Sequence, residues 1–203
     1  LVKIMKACRA RTVVKSKSMT TEEIHVNAAL EKEGIESIET DLGEFIVQLR
    51  NEHPYHIVTP AMHLSKEDVA KTFNEKYQLP LTSTPKEITA FVRAKLREKY
   101  QRADVGITGA NFLVADTGAV SVTENEGNAL MSISFPKVHV VIAGIEKIIP
   151  SLNDLDLFLP LLATHGTGQN ITVYNSITLG PRQEGEVDGP EEMYVILLDN
   201  GRT

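Results

Sequence analysis

Residues 106–128, GITGANFLVADTGAVSVTENEGN, hold the densest set of chemically capable side chains in the 203-residue chain. Glycine and asparagine tolerate the tight turns and close backbone approach that a bound ligand requires, and amides and hydroxyls offer it oriented hydrogen bonds. The candidate ligand contacts are Thr108, Gly109, Ala110, Asn111, Asp116, Thr117, Gly118, Thr123, Asn125, Gly127 and Asn128. Glu124, between Thr123 and Asn125 at the end of an apolar run, is the candidate catalytic carboxylate. Desolvated and held by neighbouring amides or hydroxyls, it could attack an activated acyl group. The alternatives stay open: Glu124 as a solvated turn acid, and Gly109 and Gly118 as plain turns between adjacent strands.

A second constellation lies at residues 14–19, VKSKSM, where a strand runs into a helix start. Helix-terminal amides and ammonium groups there could neutralise a small anion, with Lys15 and Ser16 as contacts. His165, in the glycine-rich run THGTG, is the histidine expected to join a site. No histidine pair has the spacing of a helical zinc site, so no metal is expected in this piece. The spacing Gly106-x-x-Gly109 is not a dinucleotide fingerprint, and no Gly-Lys-Ser/Thr triplet is present.

These residues must be positioned by alternating strands and capped helices. Strands are expected at residues 12–16, 35–38 and 56–59, and a helix from a Thr20/Glu23 capping box to about residue 33, stopped by Gly34. Asp41 opens a helix with Leu42, Phe45, Ile46 and Leu49 on one face. Residues 65–77 form the next helix. Thr84-Pro85-Lys86-Glu87 opens another, since the threonine and glutamate can cap reciprocally and proline sits where its missing N–H costs nothing. Beyond residue 103 the spacing shortens, with strands expected at 104–107, 119–122, 129–134, 138–143, 171–174 and 193–198. A short helix is expected at 110–115 and a longer one at 151–163. The fold class is α/β: three layers around a mainly parallel sheet, with mixed or antiparallel additions.

Composition excludes whole classes of function. Lys and Arg number 21 against 27 Asp and Glu, a net charge of −6 with 5% aromatic residues, which speaks against nucleic acid as a partner. Six of the basic residues fall in the first 19 positions, where there is no acid. That strip could meet an anionic ligand or a partner subunit, or simply discourage edge-to-edge pairing. No apolar stretch reaches the roughly 18 residues of a membrane span. A single cysteine, Cys8, makes no internal disulfide, and a reducing, cytoplasmic setting is expected.

Three segments carry a family resemblance: KSKSMTTEEI (residues 15–24), residues 106–128, and GPEEMYVILLDNGRT (residues 189–203). Together they resemble the LUD domain of the bacterial lactate utilisation proteins, specifically the iron–sulfur subunit, lactate utilisation protein B, over essentially the whole chain. The resemblance implies one LUD domain spanning residues 1–203, cut from a longer chain whose N-terminal part and ferredoxin-like C-terminal region are absent. It further implies the sheet of the NagB/RpiA/CoA-transferase-like superfamily. In function it implies a ligand-binding or docking domain in an electron-transfer complex that oxidises L-lactate to pyruvate. The other subunits would be its partners, 4Fe-4S clusters would lie in the missing region, no cofactor would lie in this fragment, and the domain would be inactive alone. In the CoA transferases of that superfamily a glutamate lies in a Ser-Glu-Asn-Gly turn. Residues 123–127, TENEG, resemble it with Thr for Ser and an inserted Glu, so an acyl- or CoA-transferring enzyme using Glu124 is one alternative and a non-catalytic scaffold another.

Overall fold

The computed structural model describes residues 1–202. Its centre is a parallel sheet of five strands, β1 (Thr12–Lys15), β2 (Glu36–Glu39), β3 (Val105–Thr108), β6 (Val138–Gly144) and β9 (Glu192–Leu198), in the order β2-β1-β3-β6-β9. β1, β3 and β6 lie inside the sheet and are almost wholly buried, as strands covered on both faces must be. One face packs on α1 (Val2–Ala7) and α3 (Val26–Glu31) through Met5, Val26 and Leu30. Over β1 and β2, the other face packs on α4 (Leu42–Leu49), α5 (Lys66–Tyr77) and α6 (Pro85–Arg102) through Phe45, Phe73, Ile88 and Leu96.

A second sheet of four strands completes the layering. It comprises β4 (Phe112–Val114), β5 (Ala119–Glu124), β7 (Ile148–Ile149) and β8 (Tyr174–Thr178), ordered β7-β4-β5-β8 with antiparallel pairs β4–β5 and β5–β8. Its Leu113, Val120 and Val122 pack on Val141 and Ala143 of β6. α8 (Leu155–Thr167) covers its far side through Leu155, Phe158 and Leu159. The three-layer, mainly parallel arrangement with antiparallel additions is the expected one.

Several elements differ from the expected ones, each for an identifiable reason. The helix expected up to residue 33 is broken into α2 (Met19–Glu23) and α3, with His25 between them at φ 52°. The Thr20/Glu23 box does not form, because α2 begins after Ser18 and takes Thr20 inside it, while Glu23 is held by Arg202 at 2.6 Å and by Asn200. Residues 56–59 form no strand: His56 Nδ1 accepts the Val58 and Thr59 amides at 3.1 and 3.3 Å and curls the segment into a turn. Residues 110–115 contain β4 rather than a helix.

Residues 129–134 are helical, within α7 (Asn128–Ser134), rather than a strand. Gly127, at φ 79°, turns the chain out of β5, and the Glu124 carboxylate takes the amides of Ala129 and Leu130. α7 lies directly on β3 at Gly106, where any Cβ would overlap the Ser132 carbonyl. The glycine is therefore required for close helix–strand packing.

Candidate functional site

The carboxyl ends of β1, β2 and β3 are the edge where open α/β sheets bind ligands, and here three loops converge on it. The loop after β1 brings Lys17, the loop after β2 brings Asp41, and the β5–α7 turn brings Glu124, Glu126 and Asn128. Lys17 Nζ lies 3.1 Å from Asp41 Oδ2, and it also donates to the Val58 carbonyl at 3.3 Å. Asp41 is buried, and its second oxygen caps α4 by accepting the Glu44 amide at 3.0 Å. In the amide orientation that satisfies both partners, the Asn128 side chain accepts the Asp41 amide at 3.3 Å and donates to Glu124 Oε2 at 2.6 Å, joining the turn to the β2 loop. Gly109 packs on Ser18 so tightly that a Cβ would sit 2.9 Å from its Oγ.

Glu126 completes this corner. Its carboxyl is partly desolvated and hydrogen-bonds the Asp41 carboxylate, whose charge adds to that of Glu124; together these outweigh Lys17 and raise its pKa. The corner therefore offers one ammonium, Lys17, two held carboxylates, Asp41 and Glu124, and the Glu126 carboxyl group with its raised pKa. Below it Tyr100 donates to the Asn128 carbonyl at 3.3 Å, and burial pushes the phenol up to about 12. Thr108, at the end of β3, is paired with the buried His139 at 2.8 Å between Oγ1 and Nε2. Burial lowers that imidazole to about 4, so it is neutral at physiological pH.

Glu124 is fully engaged. Its two oxygens accept the Ala129 and Leu130 amides at 2.7 and 2.8 Å, which stabilises the anion at the start of α7. Attack on an acyl group would require releasing that carboxylate from both amides.

Lys15 does not face this corner. It is completely buried, and its ammonium meets Glu39 at 2.9 Å, Glu22 at 3.1 Å and Thr21 Oγ1 at 2.9 Å. An ammonium has three N–H groups, so none is left for an external anion. α2, only five residues long, adds little dipole. Burial opposes the charge on Lys15, but the Glu39, Glu44 and Glu22 carboxylates outweigh it and raise its pKa. Ser16 is buried beside it, its amide bound to the Ile107 carbonyl at 3.0 Å. Of the basic N-terminal strip, Lys6 pairs with Glu33 at 2.7 Å, Lys15 with Glu39 and Lys17 with Asp41, so half of it is spent inside the chain.

The remaining candidates divide. Asn111 Oδ1 accepts the Thr123 amide at 2.7 Å, and Ala110 packs on the core between the sheets. Thr123 Oγ1 donates to Asn175 Oδ1 at 3.1 Å, and Asn125 exchanges hydrogen bonds with Gln169 at 2.9 and 3.2 Å. Asp116, Thr117 and Gly118 form the β4–β5 hairpin turn at the opposite end of β5, whose six residues span roughly 20 Å. They do not meet the corner. His165 is exposed in the last turn of α8 rather than on a loop beyond it. The alternation of strand and turn concealed this split, because both ends of a hairpin carry the same glycine and asparagine signature.

Comparison with known proteins decides the family. The LUD domain family matches residues 1–198. This chain belongs to the LUD domain family. Among curated relatives it is 46% identical over 204 residues to "Lactate utilization protein B" of Anoxybacillus flavithermus, covering 100% of this chain and 43% of that protein. It is 46% identical over 194 residues to the protein of the same name in Bacillus subtilis, covering 95% of this chain and 40% of that protein. To the "Uncharacterized electron transport protein YkgF" of Escherichia coli it is 44% identical over 203 residues, covering 100% of this chain and 43% of that one. This LUD chain thus spans about two fifths of the length of the curated relatives it matches. A crystal structure of a DUF162 family protein from Deinococcus radiodurans is similar at a TM-score of 0.41 and 12% identity, over 97% of this chain and 92% of the other.

Sequence reasoning missed the residues that do the joining: Glu39, Asp41, Glu44, Tyr100 and His139. Glu39 gave no such signal, because β2 reads Glu-Ser-Ile-Glu and only the packing of neighbouring elements shows that its last residue is buried. Among the described residues no helix is long and apolar enough to cross a membrane, and no group of three or more His, Cys, Asp or Glu is placed to hold a metal ion.

Proposed function

We propose that this LUD domain serves the utilisation of L-lactate, and that the Lys17–Asp41–Glu126–Asn128 corner holds a small hydroxy or keto acid for that process. The similarity to proteins named lactate utilization protein B, carried across the whole chain, supports the process. The ammonium of Lys17, 3.1 Å from Asp41 where the loops after β1 and β2 meet the β5–α7 turn, is the observation that supports the site. An acid's carboxylate would take Lys17 from Asp41, its α-oxygen would lie within reach of Glu126, and the Asn128 amide would orient it. The raised pKa of Glu126 and the α7 amides on Glu124 lessen the repulsion that a monoanion meets beside Lys17.

Within this reading the chain is the binding and docking part of a larger cytoplasmic electron-transfer complex. Its partners would be the other subunits of the lactate-oxidising system. Iron–sulfur clusters would carry electrons there, but a cluster takes about four thiolates and this chain has one cysteine, Cys8. The residues here do not fit a cluster.

The test uses the full-length protein in its own host. Deleting the gene is expected to abolish growth on L-lactate, and Lys17→Met or Asn128→Ala is expected to lower lactate oxidation tenfold or more with the thermal transition retained. Undiminished growth on L-lactate after deletion overturns the functional reading. Parental oxidation rates in both variants overturn the site.

A further inference from the structure

On the other side of the β2 edge, between α3 and α4, lies a cavity of about 210 Å³ that the corner above does not use. We propose that it is a binding site for a small aliphatic diamine in its diammonium form.

Glu39 and Glu44 form its floor, 3% and 1% exposed. Glu39 Oε1 is taken by the Asn27 amide at 2.6 Å and by Lys15 at 2.9 Å. Glu39 Oε2 and both Glu44 oxygens meet no donor among the described residues. Burying an acceptor without a donor is costly. A proton held between the two carboxyl groups satisfies two of these three oxygens, and the third still has no donor among the described residues. A ligand that brings both positive charge and N–H groups satisfies all of them.

The walls carry the same sign. Glu22 stands beside the floor and Glu31 at the rim, and among the described residues the cation in contact with the floor, Lys15, is already bound to Glu22 and Glu39. An inorganic divalent ion fits poorly, since it requires several oxygen ligands around one point and no such group of acids or histidines exists among the described residues. The cavity is also larger than one ammonium requires, with acids at both floor and rim, which suits a chain bearing an ammonium at each end. At the mouth His25 and His53 meet edge to face, 6.3 Å between ring centres. His25 holds its place through a left-handed backbone, φ 52°, at the break between α2 and α3. The break also directs Glu22 and His25 onto the cavity wall instead of continuing one helix past it.

Titration calorimetry of the full-length protein with 1,4-diaminobutane tests this, with succinate as a dianion of the same length. Saturable binding of the diamine is expected, with no binding of succinate. Glu44→Gln is expected to weaken the diamine tenfold or more. Ala28→Phe, which blocks the mouth from an exposed position on α3, is expected to abolish binding and leaves the buried carboxylates and folding untouched. Absence of saturable binding at millimolar diamine, or equal binding in the Ala28→Phe protein, overturns the proposal. The heat is read without lactate, so this outcome is independent of the lactate reading.

Discussion

Lys15 and Glu39 lie directly opposite each other in the parallel register of β1 and β2, both buried, with Nζ and Oε1 2.9 Å apart. A buried ion pair is costly to assemble and more costly to break, because removing one partner leaves the other charge without compensation. Lys15→Met is therefore expected to destabilise the domain by about 3–5 kcal/mol. The double variant Lys15→Met/Glu39→Met is expected to recover most of that loss. Urea denaturation of the two variants and the parent checks both expectations, and a double variant no better than the single one would refute the pairing argument.

Glu44 gives stability a pH dependence of unusual sign. Burial first, and then the Glu39 charge, push its carboxyl up to about 9. Between the ordinary carboxylate range and about pH 9 the folded state holds a proton that the unfolded state has released, so stability falls as pH rises through that window. Glu44→Gln removes the dependence. The variant is expected to gain on the parent by on the order of 4 kcal/mol between pH 5 and pH 8. Denaturation midpoints at several pH values measure the gain, and parallel curves for the two proteins would contradict it.

His139 acts at the acidic end. Burial depresses its imidazole to about 4, so as pH drops from 6.5 towards 4 the unfolded chain takes up a proton that the folded one refuses. Stability falls over that interval by up to about 3 kcal/mol. His139→Gln keeps a partner for Thr108 and is expected to flatten the acid limb in a thermal-melt series from pH 7 to pH 4. An unchanged limb would place the acid sensitivity elsewhere.

Glu124 secures α7 through the Ala129 and Leu130 amides. Glu124→Ala leaves both donors without their acceptor and is expected to cost about 1–2 kcal/mol. Glu124→Gln, which keeps one acceptor oxygen but no charge, is expected to cost less. The order of the two melting temperatures is the check, and equal values for parent and Glu124→Ala would remove the cap from the account.

Much of the architecture was legible in the amino-acid order because it depends on neighbours a few residues away. Thr84 and Glu87 cap each other across three residues, with Thr84 Oγ1 accepting the Glu87 amide and Glu87 Oε2 accepting the Thr84 amide at 2.7 Å. Val13 and Val14 mark a strand by side-chain shape, and the 106–128 segment marks the family. Where short apolar runs carry no decisive period, the tertiary structure chose: residues 129–134 become helix because Glu124 captures two amides and Gly106 leaves room for the helix backbone. The charged centre was the least legible part. Lys15 reads as an exposed anion binder until β2 arrives beside β1 and sets Glu39 opposite it, while α4 adds Glu44. Sequence thus determined the local elements and the family. Only packing decided which ionisable groups lost water and found one another, since desolvation and Coulomb pairing depend on distance in space and not along the chain.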